Sequence, residues 1–206
     1  MAYTDTRPPF FERPDLSPYL VHLTKNSRAD DDCSAYQNLD KILKWGKIRG
    51  SKGYIKGPNS ATCFMDIPLS SLKYVFNKSN TDSSFPRYEP YGIVVSKSYA
   101  YEQGARPVLY LSDSELVEMD IPKDHLWRVV KFDGIGEKSI GWIHEREWRA
   151  RGNFSLPEWL EAVLVENTSD VQSLTRSIDH HKKDYISLPQ SIIPLMVLCQ
   201  GLPYMK

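Results

Sequence analysis

His144-Glu145-Arg146-Glu147-Trp148-Arg149 is the stretch on which the reading of this chain turns. Ile140, Trp142 and Ile143 precede it and Ala150 and Phe154 follow it, as expected of a strand entering and leaving a core. In an extended segment alternate side chains share a face, so Glu145, Glu147 and Arg149 project one way and Arg146 and Trp148 the other. Two carboxylates on one strand face repel each other, and a fold keeps such a pair where the charge has a task or a cationic partner. A solvated charged strand would show the same alternation, so the segment gains meaning only beside a second one. That second segment is Tyr19-Leu20-Val21-His22-Leu23-Thr24, a short apolar run with the length of a buried strand that closes on His22 and Thr24.

The chain of 206 residues is long enough for one domain with a substantial core, or at most two small ones. Lys+Arg 26 against Asp+Glu 26 gives no net charge, which excludes a protein that binds nucleic acid through its overall field. The balance is uneven, however: Lys41, Lys44, Lys47, Arg49, Lys52 and Lys56 follow one another without an acidic residue, just after Asp30-Asp31-Asp32. Cys33, Cys63 and Cys199 are odd in number and far apart, which fits neither a disulfide framework nor a zinc site and favours a reducing compartment. The polar, proline-rich residues Met1 to Pro14 lack an apolar signal core, and the apolar run Ile192 to Cys199 is too short to span a bilayer. A soluble, cytoplasmic protein without membrane contact or bound metal is the expectation.

Residues 1–18 read as an extended arm and 19–206 as a single α+β domain. Lys25 to Tyr36 reads as a loop. Leu39, Ile42 and Leu43 share one face of a helix running from an N-cap at Asn38 to Trp45, with Gly46 as its C-cap. Arg49 to Ala61 is glycine-rich and reads as a loop, Thr62 to Met65 as a strand, Leu69 to Phe76 as a helix, and Asn77 to Pro90 as a polar loop. Strands are expected at Tyr91–Val95, Pro107–Leu111, Trp127–Phe132, Ala162–Glu166 and Pro194–Cys199. Helices are expected at Ser98–Gln103, Ser112–Met119 and Val171–Lys182. His180-His181-Lys182-Lys183 has no further ligand at metal spacing and reads as a solvated helix end; Cys63 reads as core.

The order of these short motifs resembles the ADP-ribosyltransferase superfamily, and within it DarT-like DNA ADP-ribosyltransferases and AbiGi-like abortive-infection proteins. The resemblance is carried by His22-Leu23-Thr24, by Asn38-Leu39 with Ile42-Leu43 and Gly46, by Cys63-Phe64-Met65-Asp66-Ile67-Pro68-Leu69, and by Arg106-Pro107-Val108-Leu109-Tyr110-Leu111. Glu147-Trp148-Arg149 followed by Trp159 to Val165 completes it, so that it runs in order from residue 19 to residue 199. It implies a split β-sheet core with peripheral helices and NAD as substrate, with no metal. It further implies that Glu147 stabilises the cation that develops as the nicotinamide–ribose bond breaks, and that Glu145 orients or deprotonates the acceptor. His22, Leu23 and Thr24 would grip the nicotinamide riboside, the His22 main chain reading the carboxamide. Tyr74 is the candidate for stacking on the nicotinamide, and Arg49 the nearest counterpart of the family's helical arginine, in a region that here is a glycine-rich loop.

Plainer readings stand beside these. His22 could be a satisfied core histidine, Tyr74 a half-buried helix tyrosine, and the basic run a solvated face. If the acceptor is a single-stranded nucleic acid, Lys52 and Lys56 would hold phosphates and Tyr54 would stack on a base. The function expected is that of an NAD-dependent ADP-ribosyltransferase, a toxin or phage-defence effector acting on nucleic acid and paired with a cognate antitoxin. The alternatives are a silent member of the fold that binds a partner protein, and an NAD glycohydrolase in which water replaces the acceptor.

Overall fold

The computed structural model describes residues 13–26, 33–76, 86–133 and 142–201. Residues 1–12 of the expected arm, the Asp triplet at 30–32 and most of the expected loop at 77–90 lie outside these residues. Among the described residues the two larger sheets, beside three two-stranded pairs, are built from seven strands: β1 Tyr19–Leu23, β2 Ala61–Phe64, β3 Gly92–Ser96, β4 Arg106–Pro107, β5 Trp148–Arg151, β6 Ala162–Val165 and β7 Ile192–Pro194. The first sheet has the order β1-β3-β6-β7 and the second β2-β5-β4. In the first, β1 and β6 both run antiparallel to β3, and β7 runs parallel to β6. In the second, β5 is the central strand, antiparallel to both neighbours. The helices are α1 Ala35–Trp45, α2 Leu72–Val75, α3 Lys97–Glu102, α4 Asp113–Glu118, α5 Thr168–His181 and α6 Leu195–Leu198.

The first sheet is covered on both faces, which is why its strands are continuous apolar runs rather than alternating ones. Leu20, Ile93, Val95, Val163 and Val165 point into a cluster with Leu39 and Leu43 of α1, Leu174 of α5, and Phe64, Ala150 and Phe154. Val21, Val94 and Leu164 point the other way, onto Leu72, Val75 and Phe76 and onto Leu195. Every one of these side chains is at most 7% exposed. At about 25 cal/mol per Å² of apolar surface removed from water, this two-sided burial is the main stabilising term.

Beyond their shared core, the two sheets are joined by a backbone bridge. Val21 and Met65 exchange backbone hydrogen bonds of 2.9 and 2.8 Å, and beyond that bridge β1 and β2 take different partners. The expected split sheet is therefore present, and the α+β class with it.

Several elements differ from expectation for local reasons. α1 starts a turn earlier, because Ser34 rather than Asn38 is its N-cap: Ser34 Oγ accepts from Gln37 N while the Gln37 side chain accepts from Ser34 N. Gly46 does end it, at φ +61°, where an added Cβ would lie 2.4 Å from Ile186. Pro107–Leu111 is interrupted at Val108; Leu109–Leu111 leaves the second sheet to pair in parallel with Val129–Lys131. Trp127 belongs to a 3₁₀ turn, Lys123–Arg128, that follows Pro122, so the expected strand begins only at Val129. Pro194 closes β7 rather than opening a strand; with Pro194 as N-cap, Leu195–Leu198 turns into α6. Glu145 is not on a strand either: it ends the 3₁₀ turn Trp142–Glu145, and β5 begins at Trp148.

Candidate functional site

A cavity of about 500 Å³ opens where the sheets diverge. The end of β1 (Val21 to Lys25), the end of β2 with Met65, and Glu147 at the head of β5 line it, together with α1, the Lys47–Arg49 segment, Arg87, Tyr88 and Glu145. Its size suits a nucleotide-sized ligand. The sequence-derived residues Glu145, Glu147, His22, Leu23, Thr24 and Arg49 all line this one space, although they come from three distant segments.

Glu147 and Arg149 do share a face, as alternation requires, and they form a buried ion pair. Arg149 donates from Nε and Nη2 to the two Glu147 carboxylate oxygens at 2.7 and 3.0 Å, with both residues at most 8% exposed. The remaining Arg149 nitrogen donates to the carbonyls of Trp127 and Val129 at 2.9 and 3.2 Å, so all three nitrogens of the cation are engaged. The Glu147 N–H donates to the Tyr110 hydroxyl at 3.0 Å, and Val108 N–H donates to the Glu147 carbonyl at 3.0 Å. A carboxylate offers about four lone-pair directions, so a bidentate arginine leaves acceptor capacity on Glu147. Next to it the Cys63 thiol is pushed up to about 12 by burial and then by the Glu147 charge, so Cys63 stays a thiol. It borders the cavity rather than lying fully in the core.

Glu145 reaches the cavity by a different route. Arg146 adopts φ 44°, a left-handed conformation unusual for a side chain of its size, and this reversal carries the chain from the 3₁₀ turn into β5. Glu145 then accepts from Arg87 Nη2 at 2.7 Å and from the Tyr88 hydroxyl. Burial, reinforced by the Glu145 charge, raises the Tyr88 pKa and keeps the phenol protonated as a donor. Two like-charged carboxylates thus coexist here because each has its own arginine.

His22 is held by its ring. The Cys63 carbonyl can only accept, so the 2.8 Å contact with Nδ1 assigns the proton to that nitrogen and leaves Nε2 as the acceptor. Burial lowers the His22 pKa, against the pull of that hydrogen bond, and the neutral ring packs edge-on against Phe64. The expectation that the His22 main chain reads a ligand is overturned by register. His22 lies opposite Ile93, and the flanking bonds Thr24 N–Tyr91 O and Lys97 N–Pro18 O put the even-numbered backbone groups of β1 on the β3 side. Antiparallel bonding alternates, so it is the Leu23 N–H and C=O that face away from β3, toward the side on which Val21 pairs with Met65. Thr24 is 4% exposed and its hydroxyl donates to the Ala35 carbonyl at 2.9 Å, tying β1 to the start of α1.

Other expected residues lie elsewhere. Tyr74 is 71% exposed, outside the cavity lining, with the Lys73 ammonium over its ring. Tyr88 is the cavity tyrosine; nothing in its local pattern marks it, because it arrives only through the pairing of β3 with β1. Lys52, Tyr54 and Lys56 also fall outside the lining. Lys52 bonds the carbonyls of Gly57 and Asn59 within its own loop, Lys56 pairs with Asp113 at 3.0 Å, and Tyr54 is fully exposed. The basic run contributes instead through Lys41, Lys47 and Arg49, with Lys25 and Arg87 beside them. Trp45, part-exposed at the cavity, stacks under the Arg49 guanidinium at 4.4 Å. His180 and His181 are exposed, as expected of a solvated helix end. Among the described residues no cluster of His, Cys, Asp or Glu is arranged to hold a metal, and no helix is long and apolar enough to cross a membrane.

No protein-family model and no curated protein matches the chain. Among solved structures, DarT from Thermus sp. 2.9 in complex with NAD+ is similar to it at 13% identity, over 89% of this chain and 96% of that one, with a TM-score of 0.47. The same protein in complex with ADP-ribosylated single-stranded DNA is similar at 11% identity, over 86% and 94% of the two chains, with a TM-score of 0.45.

Proposed function

We propose that the chain is an NAD-dependent ADP-ribosyltransferase that modifies single-stranded nucleic acid, acting in the cytoplasm as a toxin or phage-defence effector. One observation carries the reading: Glu147, Glu145 and the His22–Thr24 strand end, which the sequence resemblance singles out from opposite ends of the chain, line a single cavity. That cavity also carries five cations, Lys25, Lys41, Lys47, Arg49 and Arg87, against two carboxylates. Such a surplus suits a diphosphate.

Each residue has a defined part in this chemistry. Glu147, fixed by Arg149, stands beside the ribose as positive charge develops there, and its position costs no reorganisation at that moment. Neutral His22 presents Nε2 as an acceptor for a ribose hydroxyl, and the Leu23 main chain offers one donor and one acceptor, the complement of a carboxamide. Tyr88 and Arg87 hold Glu145 as the group that takes the acceptor's proton.

The test is incubation with NAD labelled in the adenosine portion, together with single-stranded DNA, RNA or total protein. Label on an oligonucleotide supports the reading in full. Label on protein alone refutes the nucleic-acid acceptor, and free ADP-ribose as sole product moves the chain to the glycohydrolases. The bidentate Glu147–Arg149 pair also suits a second reading, a silent fold in which that bridge is structural. Absence of any NAD binding would select it.

A further inference from the structure

Asp66, within the motif Cys63 to Leu69, does not line the cavity. Its contacts nevertheless converge on the residues to either side of Glu147. Its N–H donates to the Glu145 carbonyl at 3.1 Å. Its own carbonyl accepts from Arg146 Nε at 2.7 Å, and Oδ1 lies 3.4 Å from Arg146 Nη2. Oδ2 accepts from Trp148 Nε1 at 3.2 Å, and Oδ1 pairs with Lys97 Nζ at 2.8 Å. Asp66 is the residue after Met65, whose backbone bridge to Val21 joins the sheets, so it is itself firmly placed.

We infer that Asp66 is a positioning residue: it clamps the left-handed turn at Arg146 and thereby sets both glutamates in the cavity. The inference rests on the proposed activity for its kinetic consequences, but the clamp itself does not. A left-handed arginine persists only where its surroundings over-determine it. Here the surroundings are the Asp66 carbonyl and carboxylate, with the Asp15 carbonyl accepting from Arg146 Nη2 at 2.6 Å. Trp148 lies on the strand face opposite Glu147, so its bond to Asp66 fixes the twist at which Glu147 projects. Lys97 Nζ pairs with the same Oδ1 that faces Arg146, so the carboxylate is held from α3 as well.

The experiment uses Asp66→Asn, which keeps an acceptor for the Trp148 indole but loses both ion pairs, and Asp66→Ala, which loses all side-chain contacts. Nicotinamide release gives kcat and KM for NAD, and hydrogen exchange reports the amides of Glu147 and Val108. The expected result is a fall in kcat of at least about tenfold for Asp66→Asn and more for Asp66→Ala, with KM for NAD within about threefold. Glu147 and Val108 should exchange faster while Val163, in the first sheet, does not. A residue with a merely structural role would lower the melting temperature and leave kcat unchanged well below it; that result, or a raised KM at constant kcat, overturns the proposal. If Asp66→Ala does not fold, Asp66→Asn decides. If the unmutated chain releases no nicotinamide, the proposed activity fails and the clamp is judged by exchange alone: locally faster exchange upholds it, and unchanged exchange overturns it.

Discussion

Replacing Glu147 tests the chemistry and the architecture together, and the structure shows how to separate them. Glu147→Ala leaves the Arg149 guanidinium 5% exposed, with Nε and Nη2 both deprived of their acceptor. Breaking a buried pair by removing one partner costs roughly 3–5 kcal/mol. For a domain of this length, at about 2–4 °C per kcal/mol, the melting temperature should fall by roughly 6–20 °C. Lost turnover in that variant would therefore mix chemistry with unfolding. Glu147→Gln is the sharper probe: one oxygen still accepts from Arg149 while the amide NH2 faces the other Arg149 N–H donor to donor, and the stability cost drops to about 1–3 kcal/mol. The charge beside the ribose is gone, however, so the transition state should lose about 2.7 kcal/mol or more, a hundredfold in kcat. The assay is nicotinamide release at 25 °C, alongside thermal unfolding of the same samples. A Glu147→Gln enzyme with more than about a tenth of the original turnover would refute the catalytic assignment. A Glu147→Ala protein with an unchanged melting point would refute the buried pair.

Three further outcomes are expected. Saturating NAD, at about a hundred times its Kd, should add about 2.7 kcal/mol and raise the melting temperature by roughly 5–10 °C; His22→Ala should abolish most of that shift, and an equal shift in both proteins would remove His22 from the site. The folded-state pKa of His22 lies below its ordinary 6.5 because burial disfavours the imidazolium. Between those two values the unfolded chain binds a proton that the native state refuses, so stability present above pH 6.5 is lost as the pH falls from there toward the folded value. His22→Gln should flatten that acid limb of the melting curve, and parallel limbs in the two proteins would contradict the neutral buried ring. Lastly, the φ of 44° at Arg146 makes glycine the better tolerated replacement there. Arg146→Gly should exceed Arg146→Ala in stability by about 1 kcal/mol, and equal denaturation midpoints would count against the left-handed turn.

Glu147 was legible in the sequence because a two-residue period places it beside Arg149 whatever the tertiary structure. Glu145 was expected on one strand face with Glu147 but reaches the same cavity from a 3₁₀ turn, since alternation cannot announce a left-handed residue at Arg146. His22, Leu23 and Thr24 could be placed from the apolar run they terminate, but which backbone groups face the cavity depends on the register with β3. That register is a long-range fact. Tyr88 in place of Tyr74 shows the same limit: a stacking or hydrogen-bonding aromatic needs only to arrive, and any pairing of strands can deliver it. The basic run was visible as composition, yet Lys52 closes its own loop and Lys56 is drawn to Asp113, a partner that only the tertiary structure supplies. Element ends were missed where a proline or a serine cap redirected the chain, at Ser34, Pro122 and Pro194.

The bond from Arg146 to the Asp15 carbonyl spans 131 positions of sequence, and β5, which carries Glu147 at its head, must insert between β2 and β4. During synthesis the early strands therefore exist for a long interval without the central member of the second sheet. A chain ending between Phe64 and Trp148 has β1 and β2 but lacks the strand that joins β2 to β4. A product that ends there lacks Arg149, the partner of Glu147, so the buried pair at the cavity forms only once β5 has been made.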